Sequence, residues 1–234
     1  MMYILGSIAI VLAAAFIIVR VTKGGVWGVY TKTIASIAFV LLGLLGAYKS
    51  GLTLVAVFML LGLIFGLLGD IVLDLKVVYK QDEEKHLNAG MLCFGVGHIM
   101  YFVALTLYLV NNIFVGGKRT MALMLIALGV ALFITSMIMM FAEPLLKLNF
   151  GKFRIQTALY TFALTFMTAY AVAAGVIISK LIIFAVGLFL IFASDLILSN
   201  QYFGGKQDNK LFIILNHAIY YLGQISIAIM IYFI

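Results

Sequence analysis

Apolar residues fall along this chain in long blocks, broken by short charged or glycine-rich stretches. Cutting at those breaks leaves eight apolar segments, at 3–19, 29–48, 52–75, 89–110, 120–142, 155–178, 181–199 and 211–233. A helix that crosses a bilayer needs about 20 mostly apolar residues, with about 17 as a lower limit. The pattern therefore predicts an all-α, polytopic membrane protein of eight transmembrane helices. The Gly24-Gly25, Gly116-Gly117 and Gly204-Gly205 pairs mark turns, and Pro144 marks the end of the fifth span. Only short connections remain, so 1–234 is expected to be a single integral membrane domain.

Composition agrees. Of 234 residues, 66% are hydrophobic and 10% are charged, against about 25% charged in soluble domains. A soluble fold of this size has nowhere to hide so much apolar surface. One cysteine, Cys93, excludes an internal disulfide. The net charge of +7 would suit nucleic acid in a soluble chain. In so apolar a chain, basic loops beside membrane helices explain it better, and no nucleic-acid partner is expected.

The basic residues also orient the spans. Loops after spans 1, 3, 5 and 7, with their flanks, hold Arg20, Lys23, Lys32, Lys76, Lys80, Lys85, Lys147, Lys152, Arg154, Lys206 and Lys210. The other side holds Lys49, Lys118, Arg119 and Lys180. The positive-inside rule then puts both termini outside and the odd-numbered loops in the cytoplasm. Met1–Leu5 carries no basic residue, so the first span reads as an uncleaved helix and not a signal peptide. A bacterial inner membrane is the expected location.

Polar residues inside the spans repeat. Span 3 ends Gly69-Asp70-Ile71-Val72-Leu73-Asp74, and span 7 ends Ser194-Asp195-Leu196-Ile197-Leu198-Ser199. Each precedes a helix with His-x-x-Tyr, His98 and Tyr101 in span 4, His217 and Tyr220 in span 8. Two parallel four-helix repeats, 1–115 and 118–234, are expected. Asp70 and Asp195 fall about one turn from the inner ends of their spans. Lys32 opens span 2 on that side, Gln156 and Tyr160 open span 6 there, and His98 lies roughly 13 Å along span 4. Spans 1 and 5 are almost wholly apolar and look peripheral. The expected picture is a polar pocket facing the cytoplasmic leaflet.

A carboxylate at the bilayer centre costs about 2.5–3.5 kcal/mol, so Asp70 and Asp195 are the main functional candidates. Asp74, one turn beyond Asp70, serves either the site or a solvated helix end. Lys32 either snorkels to the interface or holds an Asp or a lipid phosphate. His217, Tyr221 and Gln224 form a polar stripe at helical spacing, for a site or for interhelical bonding. Gly62 and Gly66 form a GxxxG pair that brings another helix close to Asp70. The run Lys80–Lys85 reads as a solvated loop. A metal would need Asp70, Asp195, His98 and His217 together. No HxxxH or HExxH spacing supports that, and hydrogen bonding or proton transfer suits His98 better.

These motifs resemble the YhhN family of eight-span membrane proteins. The matching pieces are Lys32, Gly69-Asp70, the run from Phe94 to Tyr101 (FGVGHIMY), Tyr160 with Met167, Ser194-Asp195, and Tyr221 with Gln224. They run from span 2 to the end of the chain. Thr33 stands where the family more often has proline. The resemblance implies lysoplasmalogenase activity, with Asp70 and Asp195 catalytic. The substrate would be a vinyl ether lysophospholipid, cleaved to a fatty aldehyde and a glycerophospho-base.

The residues suit that chemistry. A vinyl ether hydrolyses by protonation at carbon, giving an oxocarbenium ion that water captures. Two carboxylates, one protonated and one ionised, supply the acid and the negative charge. His98, Tyr101, Tyr160, Ser194, Tyr221 and Gln224 are expected to support the pair, and Lys32 to hold the phosphate. No metal or organic cofactor is required. The competing expectation is a small lipid or proton-coupled transporter, which would also use intramembrane carboxylates and a repeat.

Overall fold

The computed structural model describes residues 1–113, 117–206 and 209–234. Gly116 of the second glycine pair lies outside them. Eight α-helices follow in order: α1 Met2–Thr22, α2 Gly25–Lys49, α3 Leu54–Leu75, α4 Glu83–Asn112, α5 Lys118–Leu146, α6 Arg154–Ile177, α7 Ile182–Phe203 and α8 Lys210–Met230. All eight are long and apolar enough to cross a membrane, and the described residues contain no strand. A bilayer core offers the backbone no hydrogen-bonding water, so each spanning segment closes its own bonds as a helix. Two starts are capped by side chains. Thr53 Oγ1 accepts from the Ala56 N–H at 3.3 Å, and Asn209 Oδ1 accepts from the Leu211 and Phe212 N–H groups.

Among the boundaries that depart from the hydrophobic pattern, three have a local reason. Helix α2 begins at Gly25, where Gly24 and Gly25 take φ of 60° and 52°, so Lys32 lies two turns inside it. Helix α4 begins at Glu83. The run Lys80–Lys85, expected as a loop, is a 3-10 turn leading into the helix, whose first turn carries Glu83 and Glu84. Acidic residues are favoured at a helix N-terminus. Helix α5 continues past Pro144 to Leu146 and stops at Lys147, which has φ 55°. A proline removes one backbone bond and bends a helix without having to end it.

The strongest packing is α3 against α4 and α7 against α8. Both crossings use glycine to bring backbones together. The Tyr101 ring lies on Gly62, and the Gly62 carbonyl lies 3.2 Å from where a Cβ on Gly97 would stand. At the other crossing, Gly187 and Gly223 oppose each other. A Cβ on Gly223 would stand 2.8 Å from the Gly187 carbonyl. Backbone cannot yield as a flexible side chain can. Gly223→Ala should cost about 1–3 kcal/mol by overpacking. Gly95→Ala, facing open space, should cost nothing. Thermal unfolding of the two variants in detergent tests the difference.

Helix α8 is central and touches α1, α2, α3 and α7. Helix α5 packs mainly along α6 and only touches α4. Large apolar side chains of α1 and α5, such as Tyr3, Val11, Leu125 and Phe133, face outward.

Candidate functional site

The site lies at the end of the bundle where α1, α3, α5 and α7 finish. Asp70 and Asp74 are one turn apart on α3, so both point to the same side. Lys32 and Ser36 have the same spacing on α2. The two faces meet: Lys32 Nζ lies 3.2 Å from Asp70 Oδ1 and 3.2 Å from Asp74 Oδ1. Asp70 Oδ2 accepts from Ser36 Oγ at 2.6 Å and from the Tyr220 hydroxyl at 2.9 Å. Arg20, at the end of α1, pairs with Asp74 Oδ2. Asp70 and Lys32 are 2% and 3% exposed. Charges taken so far from water persist only when paired and hydrogen-bonded.

Helix α8 supplies the next layer. The Tyr221 hydroxyl bonds Ser36 Oγ at 2.9 Å and donates to the Lys32 carbonyl at 3.2 Å. Gln224 Nε2 donates to the Tyr220 hydroxyl at 3.0 Å, and Gln224 Oε1 accepts from Tyr101 at 3.5 Å. Asp70, Tyr220, Gln224 and Tyr101 thus form one chain through α3, α8 and α4.

Asp195 on α7 has a different setting. Its Oδ2 accepts from the Tyr160 hydroxyl at 2.5 Å. It makes no salt bridge among the described residues. The buried ring of His98 lies 6.2 Å from that of Tyr160, and His98 Nδ1 has no hydrogen-bond partner. Ser194 is bonded across to α8. Its Oγ donates to the Asn216 carbonyl at 3.0 Å, and Asn216 Nδ2 donates back to the Ser194 carbonyl at 2.9 Å, tying α7 to α8.

Two cavities meet here. A polar cleft of about 490 Å³ is lined by Arg20, Lys32, Asp70, Asp74, Lys76, Glu83, Asp195, His217 and Tyr220, among others. Beside it lies an apolar chamber of about 470 Å³ between α4, α5, α6 and α7. Leu73, Phe94, Asp195, Leu198 and Tyr202 line both. Among the described residues, Asp195 is the one carboxylate at the boundary.

The structure brings Lys32, Asp70, Asp74, Tyr221, Gln224 and Tyr101 into one network, and Asp195, Tyr160 and His98 into a second group, of which Asp195 reaches the polar cleft and Tyr160 lines the chamber. Gln156 is exposed and takes no part. Lys32, for which snorkelling, a lipid phosphate and an aspartate were all open, lies between two aspartates. Spans 1 and 5, expected to be peripheral, each give a wall: α1 ends in Arg20, and α5 lines the chamber. Sequence reasoning passed over Arg20, Ser36, Tyr202 and Lys76. Only Ser36 carried a usable signal, its four-residue spacing from Lys32.

Lys76 follows the end of α3. Its Nζ is 3.5 Å from Glu83 and 3.5 Å from the centre of the Tyr202 ring. Burial pushes its ammonium down to about 8, against the opposing pull of Glu83. Among the described residues, no three His, Cys, Asp or Glu side chains stand together as a metal-holding group.

No curated protein and no solved structure matches the chain. The model of the YhhN family matches residues 27–231, from the start of α2 to the end of α8, which leaves Arg20 outside the matched region. That match takes in nearly the whole chain, Asp70 and Asp195 included, and the chain belongs to the YhhN family.

Proposed function

We propose that this protein is a lysoplasmalogenase-type hydrolase, cleaving the vinyl ether of a 1-alkenyl-lysophospholipid to a fatty aldehyde and a glycerophospho-base. The observation that carries the reading is a pair of aspartates on one cleft in unlike surroundings. Asp70 receives two hydroxyl donors and a lysine, the partners of a carboxylate anion. Among the described residues Asp195 receives one hydroxyl and no cation, and it borders an apolar chamber, the surroundings of a carboxyl that keeps its proton.

In this scheme Asp195 Oδ1 gives its proton to the outer carbon of the vinyl ether. Tyr160, already bonded to Oδ2, steadies the carboxylate left behind. The positive charge developing on the ether carbon and oxygen is offset by Asp70. Water adds to that carbon and yields a proton to Asp195, which resets the acid. The resulting hemiacetal passes its hydroxyl proton to the glycerol oxygen as the C–O bond breaks, and the aldehyde leaves. No metal or cofactor enters the scheme. The cleft opens on the cytoplasmic side if the basic ends of the helices lie inside, and 1–115 and 118–234 are two parallel halves.

Purified protein should release aldehyde from a 1-alkenyl-lysophospholipid and nothing from its 1-acyl analogue. Equal turnover of both analogues, or of neither, refutes the reading. A transporter would instead move the lipid intact between leaflets of a proteoliposome.

With Lys32 held between two aspartates and Arg20 paired with Asp74, Lys76 and Lys80 are the further cations of the cleft wall placed to meet the phosphate. Lys76 then gives binding a pH limit. Its positive charge is present below about pH 8 and lost above it. KM for the lysophospholipid should rise across that range, with kcat little changed. In Lys76→Arg the rise should disappear, since arginine stays charged. Unchanged KM between pH 7 and pH 9 in the native protein would remove Lys76 from this role.

A further inference from the structure

We propose that the apolar chamber is the seat of a single hydrocarbon chain, which enters sideways from the bilayer between α4 and α5 while the phosphate-bearing head stays in the polar cleft. This rests on the hydrolase reading for the identity of the ligand, but the binding does not need the reaction.

Four observations carry it. First, α5 turns one helical face to the chamber: Met137, Ile138, Phe141, Ala142, Leu145 and Leu146 recur at the three- and four-residue spacing of a single side. Phe141 and Leu145 on that face are also 44% and 73% exposed, so the chamber wall continues onto the lipid-facing surface. Second, α5 is held by α6 and only touches α4 across the chamber, which leaves a seam for a chain to pass.

Third, the chamber has an apolar floor at the end of α5. Leu148 and Phe150 fold under it against Ala142, the Phe150 ring packs edge-on to Phe203 at 5.0 Å, and the Asn149 N–H donates to the Phe203 carbonyl at 2.8 Å. An apolar chain therefore reaches the chamber through lipid, where its transfer costs little, and not through the solvent. Fourth, the chamber meets the polar cleft at Asp195, so an amphiphile lying across both puts its junction of chain and head at that carboxyl.

Size selects one chain. A methylene is close to a water molecule in bulk, about 30 Å³ in the liquid. A chamber of about 470 Å³ then seats on the order of 15 carbons, which fits a lysolipid and has no room for a second chain.

The test uses uncleavable 1-O-alkyl lysophosphatidylethanolamines of 16 and 8 carbons, with affinity measured by displacement of a fluorescent lysolipid from the purified protein. Thr161→Trp and Met137→Trp each fill the chamber from a different helix. Leu132→Trp, on the exposed side of α5, is the control. Circular dichroism and thermal unfolding establish which variants fold. In a folded filled variant the 16-carbon affinity should fall tenfold or more. The 8-carbon affinity should change less than threefold, and the control should match the native protein.

An unchanged 16-carbon affinity, or an equal fall for both chain lengths, overturns the chamber. Should both filled variants fail to fold, Phe141→Trp decides. A bromine at mid-chain of the 16-carbon lysolipid should quench that tryptophan, and absence of quenching overturns the proposal. Chain-selective binding without aldehyde release would leave the chamber standing and remove the hydrolase reading. Aldehyde release with unaltered chain affinity would do the reverse.

Discussion

Asp195→Asn should stop aldehyde release, with a fall in kcat of about 10²- to 10⁴-fold, the usual worth of a positioned general acid. The amide keeps the shape of the side chain and can still accept the Tyr160 hydroxyl bond, made at 2.5 Å in the native protein. It has no acidic proton to give to carbon. The protein should fold and unfold as the native one does, and uncleavable lysolipid should bind with native affinity. Tyr160→Phe should fall part of the way, since it removes only the donor that steadies the departing charge. Stopped-flow detection of aldehyde, with binding measured separately, checks both. Activity within threefold of native in Asp195→Asn would end the role given to Asp195, whatever happens at Asp70.

Lys32→Met should have the largest effect on stability. The side chain is 4% exposed, and its ammonium lies 3.2 Å from each of two buried carboxylates. Methionine fits the space but leaves Asp70 without a cation, with Asp74 keeping only Arg20. Removing one partner of a buried pair costs about 3–5 kcal/mol, because the remaining charge stays desolvated. The double variant Lys32→Met with Asp70→Asn should recover much of that loss, since the stranded charge is then gone. It should remain inactive, because the negative charge facing the oxocarbenium ion has been removed as well. Thermal unfolding of the two variants separates charge from packing. A double variant no more stable than the single one would show that lost packing is the cause.

The positions of the aspartates were legible early because charge is so scarce inside the spans. Asp70 and Asp195 stand out in any apolar helix, and their cost in lipid points to a purpose before any fold is known. Asp70 and Asp74 could be placed on one face from their spacing alone. An aspartate was one of the partners open to Lys32, but which one was not legible. Spacing within α2 says where Lys32 points relative to Ser36, but not which helix lies opposite. Arg20 looked like an orienting charge at a helix end, and only the packing of α1 beside α2 and α8 brings it to Asp74. The apolar chamber left no mark at all. Its walls are mostly ordinary leucine, methionine and phenylalanine, identical in sequence to residues that face lipid.

The sequence by itself determined that this is a membrane protein of eight helices with a few costly polar groups near one end of the bundle. That much follows from transfer free energies, which act on each residue according to its own chemistry. The tertiary structure decided which of those groups share a proton environment and which share a cation. It set Asp70 among donors and Asp195 at the edge of an apolar chamber. Those are properties of neighbours brought together from distant spans. A carboxyl's chemistry depends on what lies within a few ångströms of it, and only the crossing of the helices sets that.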